Sequence, residues 1–484
     1  MPPWLQELWP IFTAVTHFTA APLATAHAVI LKRETPSVIG WVGLIWLAPV
    51  IGSLIYAVFG VNRIQRIGVT LQLREGWKPP PPPALTFADH FHLQQISDSH
   101  PNIVALSRLG QVVTGNEIMP GNKVDVLQDG DAAYPAMLAA IDGAQRTVAL
   151  LSYIFDSDRA GDAFLDALVR AQVRGVEIRV LIDHVGARYS KPNMVARLRK
   201  AGITTGDFLP TGGAILSRYL NLRNHRKILV VDGTVGFTGG TNIREGHWLN
   251  LAPAHPARCL HFRLSGPVVG QLMETFTVDW LFATKEELPA ATWFPSTFER
   301  MGDVAARGVS DGPDEDLDKM SDVLLGALAA ATTRAAIVSP YFLPDNAILR
   351  ALVVTALRGV RVDIVIPARN NIRVMDWAPV PQLAELLAKG CHIHLSPPPF
   401  DHTKLFVIDG VWSLVGSTNW DARSLRLNFE YNVECYSEAL ATDLEALIAE
   451  KIAASSSLTL AQIESRPLPI KVRDGLARLL SPYL

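Results

Sequence analysis

The sequence predicts an α/β fold in two homologous lobes, preceded by a membrane hairpin. Three observations carry that expectation. Strand–helix–strand patterns occur twice along the chain, one long polar-and-apolar pattern is present in two copies, and two apolar runs open the chain. With 484 residues the chain is also too long for one ordinary core.

The apolar runs come first. Trp9 to Leu31 is diluted by His17, Pro22 and His27, whereas Val38 to Gly60 contains no charge. Each is long enough for a membrane helix, which needs about 20 apolar residues. A cleaved signal peptide is disfavoured for the first run, because no basic stretch precedes it and Lys32, Arg33 and Glu34 follow it. Buried soluble helices are the other alternative, opposed by the near absence of a polar face in the second run. A hairpin returns both ends to one side, flanked there by Arg63, Arg66, Arg74 and Lys78 against Lys32 and Arg33 in the turn. That bias places the bulk of the chain in the cytoplasm. The expected hairpin occupies residues 1–62, with spans of about 9–31 and 38–60.

Five prolines, Pro79 to Pro83, follow in a connecting segment assigned to residues 63–119. Such a run favours a semi-stiff polyproline II spacer. From about residue 120 the pattern alternates. "RTVALLSYIF" reads as a buried strand, "AGDAFLDALVRAQVRG" as an amphipathic helix and "VEIRVLIDHVG" as another strand. "RAAIVSPYFL", "NAILRALVVTALRG" and "VRVDIVIPARN" repeat the series. Arg-Gly-Val closes the helix in both, at Arg174 to Val176 and Arg358 to Val360, where glycine suits the left-handed position after a helix. The expected lobes are residues 120–290 and 320–455. Between them, 291–319 is read as a linker, ending in the acidic, turn-rich "SDGPDEDLDKMSD". Residues 456–484 form a tail whose "IKVRDGLARLLSPYL" suits either an interfacial helix or one docked on the core.

A net charge of −2 argues against bulk electrostatic binding to nucleic acid. Mean hydropathy is +0.20, raised by the N-terminal runs. Cys259, Cys391 and Cys435 are scattered without a CxxC pair, so no disulfide framework is expected.

The chemistry concentrates in the duplicated pattern, "NHRKILVVDGTVGFTGGTN" and "DHTKLFVIDGVWSLVGSTN". Each copy has His, one residue, Lys, four residues and Asp: His225, Lys227 and Asp232, then His402, Lys404 and Asp409. A small-small-Thr-Asn turn follows at the same spacing, with Gly240 and Asn242 in the first copy and Ser417 and Asn419 in the second. On a strand, His and Lys two apart share a face. An imidazole beside a fixed cation suits an anionic phosphate ester: His attacks phosphorus or carries a proton, and Lys offsets charge on the oxygens. Small residues let backbone approach phosphate closely, and the Asn amide donates to an oxygen. The Asp, seven residues from His, falls on the opposite face of a regular strand and reads as structural. A lone HxK would mean little, but packing does not explain two copies with matched spacing.

These residues resemble the two HKD motifs of the phospholipase D superfamily. The whole chain resembles the bacterial cardiolipin synthases, through the N-terminal hairpin, "NLRNHRKILVVDG", "GGTNI", "GPVV", "PYFLPD", "GSTNWDARSLRLNFEYN" and "ARLLSPYL". The resemblance implies α/β/α sandwich lobes about a pseudo-twofold, with both motifs meeting in one cleft. It implies a multi-pass protein of the bacterial inner membrane and phosphatidyl transfer between two phosphatidylglycerol molecules without a metal or other cofactor. One His forms a phosphatidyl-histidine while the other protonates the departing glycerol, then acts as base on the second lipid. Lys227, Lys404, Asn242 and Asn419 would hold the phosphoryl oxygens. The alternative is a phospholipase D-type hydrolase or transphosphatidylase acting on another donor or acceptor, such as phosphatidylethanolamine. A catalytically silent scaffold on the same fold is opposed by the completeness of both motifs.

The resemblance leaves open which His is the nucleophile. Glu430, in "NFEYN", stands where the superfamily has a carboxylate, and is expected to orient His402. The corresponding Asp of the first lobe is replaced by Cys259 in "RCLHF", so His225 is expected to lack its carboxylate, with Glu245 as a substitute. Cys259 itself is expected to be a buried, inert thiol. "NIREGHWLN" departs from the tyrosine-containing family form. His392 and His394 share a strand face without an evident third metal ligand. Trp420 and Phe429 are read as stacking groups or core.

Overall fold

The computed structural model describes residues 14–31, 35–60, 98–210, 221–313 and 316–481. It divides into two compact units, an N-terminal hairpin and a larger α/β unit.

In the hairpin, a helical stretch from Thr16 to Leu31 lies beside helices Thr35–Leu47 and Pro49–Ile55. Ala21, Ala28, Ile45 and Tyr56 form the small contact. His27 Nδ1 lies 2.7 Å from the Tyr56 hydroxyl, and the Trp46 indole donates to Thr25 at 3.0 Å. The expected second span is interrupted. Pro49 has no N–H and disfavours helical backbone at the residue before it, and Ala48 accordingly takes φ −140°, ψ 74°. Residues 9–13 of the expected first span lie outside the described residues, as do the proline run and the six flanking cations. Among the described residues no helix is long and apolar enough to cross a membrane. Leu23, Ile30, Ile39, Leu47 and Ile51 are nevertheless exposed.

The larger unit is built on a 16-stranded sheet that reads outward from its centre as two copies of one order. One half runs Met119–Gln128, Leu260–Ser265, Val235–Gly239, Ile228–Val231, Thr147–Ser152, Glu177–Asp183 and Thr205–Phe208. The other runs Val304–Asp311, Asn428–Tyr436, Trp412–Gly416, Leu405–Ile408, Arg334–Val338, Arg361–Pro367 and His392–Ser396, with Ser456–Leu458 added at the edge. The halves join where Met119–Gln128 pairs antiparallel with Val304–Asp311. The linker expected at 291–319 thus contains the first strand of the second lobe. Its acidic, turn-rich end hid the short alternation "VAARGVSD". The connecting segment likewise holds a helix, Pro101–Thr114, whose Ile103 and Leu106 enter the second lobe's core.

Both sheet faces are covered, so the inner strands read as unbroken apolar runs. In the first lobe Val148, Leu150, Val180 and Ile182 pack with Phe164 and Leu168 of helix Arg159–Val173. On the other face Leu181 and Trp280 of helix Val268–Thr284 meet over Gly206. The helices Arg159–Val173 and Asn346–Leu357 end as expected: Gly175 and Gly359 take φ of 90° and 88°. The C-terminal helix Leu468–Arg478 is docked through Ala477, which packs with Leu343, Met375 and Ala378, while Asp474 pairs with Arg466 of the same tail at 2.9 Å. Leu468, Val472 and Leu476 stay exposed along its other side.

Candidate active site

Each histidine is carried to the pseudo-twofold by a short strand pairing with the opposite lobe. Arg223–Asn224 runs parallel to Asn428–Phe429, and the His225 N–H donates to the Phe429 carbonyl at 2.9 Å. Phe400–Asp401 runs parallel to Ala257–Arg258, and the His402 N–H donates to the Arg258 carbonyl at 2.7 Å. The imidazoles then face each other with centroids 6.3 Å apart. Both are buried, as are Lys227 and Lys404. Each lysine donates to the carbonyl of the His two residues before it, at 2.6 Å for Lys227 and 2.8 Å for Lys404. The triplets 225–227 and 402–404 are not strand but the links between Arg223–Asn224 and Ile228–Val231 and between Phe400–Asp401 and Leu405–Ile408, so each lysine folds back onto the backbone of its own link.

Asp232 and Asp409 stand apart from this cluster. Asp232 accepts backbone N–H bonds from Gln145, Arg146 and Thr147 at 2.8–2.9 Å. Asp409 does the same for Thr332, Thr333 and Arg334 at 2.7–2.9 Å. Each lies at the far end of its motif strand, tying a hairpin turn to the start of the neighbouring strand. Although both belong to the motif, the strand carries them away from the imidazoles.

The carboxylate lies where the sequence reading did not put it. Glu430 bonds His225 Nδ1 at 2.9 and 3.0 Å from its two oxygens, not His402. The strand Asn428–Tyr436 pairs across the lobe boundary, so its carboxylate serves the other lobe's histidine; adjacency in sequence misled. Ser417 Oγ donates to the same carboxylate, and Asn428 donates at 3.1 Å. His402 Nδ1 instead faces the Gly240 carbonyl at 3.0 Å. Cys259 is the pseudo-symmetric counterpart of Glu430: each follows the residue whose carbonyl receives a motif-histidine N–H. Its thiol donates to the His402 carbonyl at 3.3 Å. Gly240 is the counterpart of Ser417, and a Cβ there would come within 2.6 Å of the Cys259 sulfur. Glu245, offered as a substitute, pairs with Arg159 at 2.9 Å instead.

Asn242 accepts from the Ile154 N–H at 3.3 Å through its side-chain oxygen. Asn419 donates to Ser424 Oγ at 3.0 Å. Arg226, between His and Lys, is fully buried and bonds both oxygens of Asp279 at 2.6 Å, the Glu430 carbonyl at 2.9 Å and the Asp311 carbonyl at 3.0 Å. It pins the first motif to the second lobe.

Burial sets the protonation of the site. It lowers the His225 pKa to about 4 against the opposing pull of Glu430, and lowers His402 well below the ordinary value with help from Lys404. Burial, joined by the charge of the other lysine, brings Lys227 to about 7; burial lowers Lys404 to about 8. Burial alone would raise Glu430, but His225, Lys227 and the Ser417 hydroxyl leave it below its usual value. Burial pushes the Cys259 thiol up to about 11, in keeping with an inert group.

Several neighbours escaped the sequence reading. Tyr153 lies edge-on to His225 at 5.2 Å, with Lys227 5.4 Å from its ring. Tyr341 and Phe400 flank His402 at 6.1 and 5.9 Å. His247, from "NIREGHWLN", lies 6.0 Å from His402. The "SYIF" and "PYFLPD" strand ends held the only sequence signal for the tyrosines. Elsewhere, His394 bonds Asp363 at 3.0 Å, a carboxylate already paired with Arg361 and Arg334. Among the described residues no His, Cys, Asp and Glu cluster could hold a metal. Trp420 stacks on Phe342, and Phe429 is fully buried, 5.5 Å from the Arg226 guanidinium; both are core.

The family profile described as "Cardiolipin synthase, PLD-like domain" matches residues 137–252 and 324–452, one segment around each motif. A cardiolipin synthase A of Pseudomonas fluorescens is 31% identical over 98% of both chains. The chain belongs to the cardiolipin synthase family. It is thereby an enzyme of the phospholipase D superfamily. The major cardiolipin synthase of Bacillus subtilis is 30% identical over 94% of this chain and 95% of its own. Among solved structures, a phosphatidylserine synthase of Haemophilus influenzae superposes with a TM-score of 0.63. It covers 78% of this chain and all of its own at 13% identity, a likeness of fold. Cardiolipin synthase family membership accounts for the paired motifs, one in each matched segment.

Proposed function

We propose that the enzyme transfers a phosphatidyl group between two phosphatidylglycerol molecules, releasing glycerol and forming cardiolipin. The observation that carries this reading is the pair of opposed imidazoles, each beside a lysine, with only one backed by a carboxylate.

His225 is the proposed nucleophile. Glu430 fixes the proton on Nδ1, leaves the Nε2 lone pair for phosphorus and offsets the positive charge of the phosphatidyl-imidazole. His402 is the acid and then the base. The bound phosphodiester's negative charge favours its protonated form despite burial, so it can protonate the leaving glycerol oxygen. It then takes the proton of the attacking hydroxyl as the new P–O bond forms and the P–N bond breaks. Lys227 and Lys404 offset charge on the non-bridging oxygens, and Asn242, whose amide nitrogen is not used by Ile154, is placed to donate to one. One phosphodiester replaces another, so no external energy source is required.

The lipid substrates would be met at a bacterial inner membrane, with the catalytic lobes on the cytoplasmic side. Support comes from the exposed apolar side chains of the N-terminal hairpin and of the helix Leu468–Arg478. Expression in cells devoid of cardiolipin tests the reading: cardiolipin should appear in the lipid extract, and its absence would overturn it. Products from defined lipid pairs separate this activity from hydrolysis or from use of phosphatidylethanolamine.

A further inference from the structure

A further histidine, His247, stands beside His402. His247 lies on the single turn Glu245–His247 and is buried. Tyr134 holds that loop, its hydroxyl 2.6 Å from the Asn242 carbonyl and accepting from the Arg244 N–H at 3.2 Å. His247 Nδ1 lies 3.1 Å from the Ala257 carbonyl. The next residue, Arg258, receives the His402 N–H. Consecutive residues of one strand therefore hold the His247 ring and the His402 backbone, and the two ring centroids are 6.0 Å apart.

The tautomers follow from the partners. A carbonyl oxygen only accepts, so Nδ1 of His247 carries the proton and Nε2 keeps its lone pair. The same holds for His402 against the Gly240 carbonyl. Burial, with Arg244 and both motif lysines nearby, keeps His247 neutral, its pKa lowered to about 3. Nε2 of His225 is committed to phosphorus and Nε2 of His402 to the attacking hydroxyl. That leaves one accepting nitrogen beside His402 without a role in the transfer.

We propose that His247 is the acceptor-selecting residue: its Nε2 accepts a hydrogen bond from the hydroxyl adjacent to the one His402 deprotonates, so the site prefers a vicinal diol. This rests on the phosphatidyl-transfer reading above and deepens it. In the second half-reaction the acceptor oxygen bonds phosphorus, the bond from phosphorus to His225 Nε2 breaks, and the hydroxyl proton passes to His402. His247 neither gains nor loses a proton. A glycerol headgroup presents such a diol, whereas a monohydric alcohol leaves the buried nitrogen unmatched, the situation that discriminates most strongly.

The test uses the full-length enzyme in phosphatidylglycerol vesicles with deuterated glycerol and 1-propanol competing as acceptors, read by mass spectrometry of the new lipids. Substituting His247→Phe should cut the preference for glycerol over 1-propanol by roughly five- to tenfold. His247→Gln, which keeps an accepting atom, should retain most of it. Should the phenylalanine variant not fold, His247→Leu is read in its place. An unchanged ratio, or an equal loss with both alcohols, overturns the proposal. Failure of the wild type to make cardiolipin while the ratio responds counts against the lipid assignment alone.

Discussion

The two halves of the site began from one design and differ in what stands behind each imidazole. Behind His225 is a carboxylate held by Ser417 and Asn428; behind His402 is the backbone of Gly240, with a thiol where the carboxylate would be. Two positions account for the difference, Glu430 against Cys259 and Ser417 against Gly240. They are coupled: a side chain at residue 240 would run into the Cys259 sulfur. On the roles proposed above, that difference divides the labour of a duplicated scaffold. A carboxylate makes a better nucleophile and stabilises its cationic adduct, whereas an acid that must release its proton gains from its absence.

The comparison breaks most severely when either imidazole is removed. Replacing His225 by Ala should lower kcat by about 10⁴-fold or more, as deleting a nucleophile does elsewhere. His402→Ala should cost about 10²–10⁴-fold, the range for general acid–base catalysis, and leave a slow labelling of the enzyme by lipid. Full activity in either variant would refute the division of roles. Glu430→Gln keeps shape but removes charge; kcat should fall by roughly 10²-fold or more.

The lysines sharpen the comparison through pH. Lys227 is charged below about 7 and Lys404 below about 8. The kcat/KM of the free enzyme should therefore decline as pH rises through 7 to 8, well below the pH at which an ordinary lysine loses its charge. Lys227→Arg should move that limb to higher pH. A profile flat to pH 10 would contradict the assigned burial.

Smaller effects come from the supports. Asp232→Ala or Asp409→Ala should each lower unfolding free energy by about 1–3 kcal/mol, read by denaturant midpoint, through the loss of backbone N–H acceptors. Cys259→Ser should change kcat by less than about twofold, since the hydroxyl still donates to the His402 carbonyl.

Much of this was legible in sequence. Paired HxK spacing located all four central side chains, and the two Arg-Gly-Val helix ends predicted the left-handed glycines. Charge-free length alone suggested a full-span helix at 38–60, but Pro49 interrupts it. Strand Val304–Asp311 was lost because a central strand flanked by an acidic turn carries too few apolar residues to stand out. The partner of Glu430 could not be read along the chain, since it is fixed by parallel pairing of Asn428–Phe429 with Arg223–Asn224 across the lobes. His247 was visible only as a departure from a family pattern; its place beside His402 depends on a strand ten residues away.

The most direct test of the account is to trap the covalent enzyme. Brief exposure to phosphatidylglycerol labelled in its phosphate, alkaline quenching and peptide mapping would locate the acid-labile phosphohistidine. The account predicts label on the peptide containing His225, lost in His225→Ala and retained in His402→Ala. Label confined to the peptide containing His402 would contradict it.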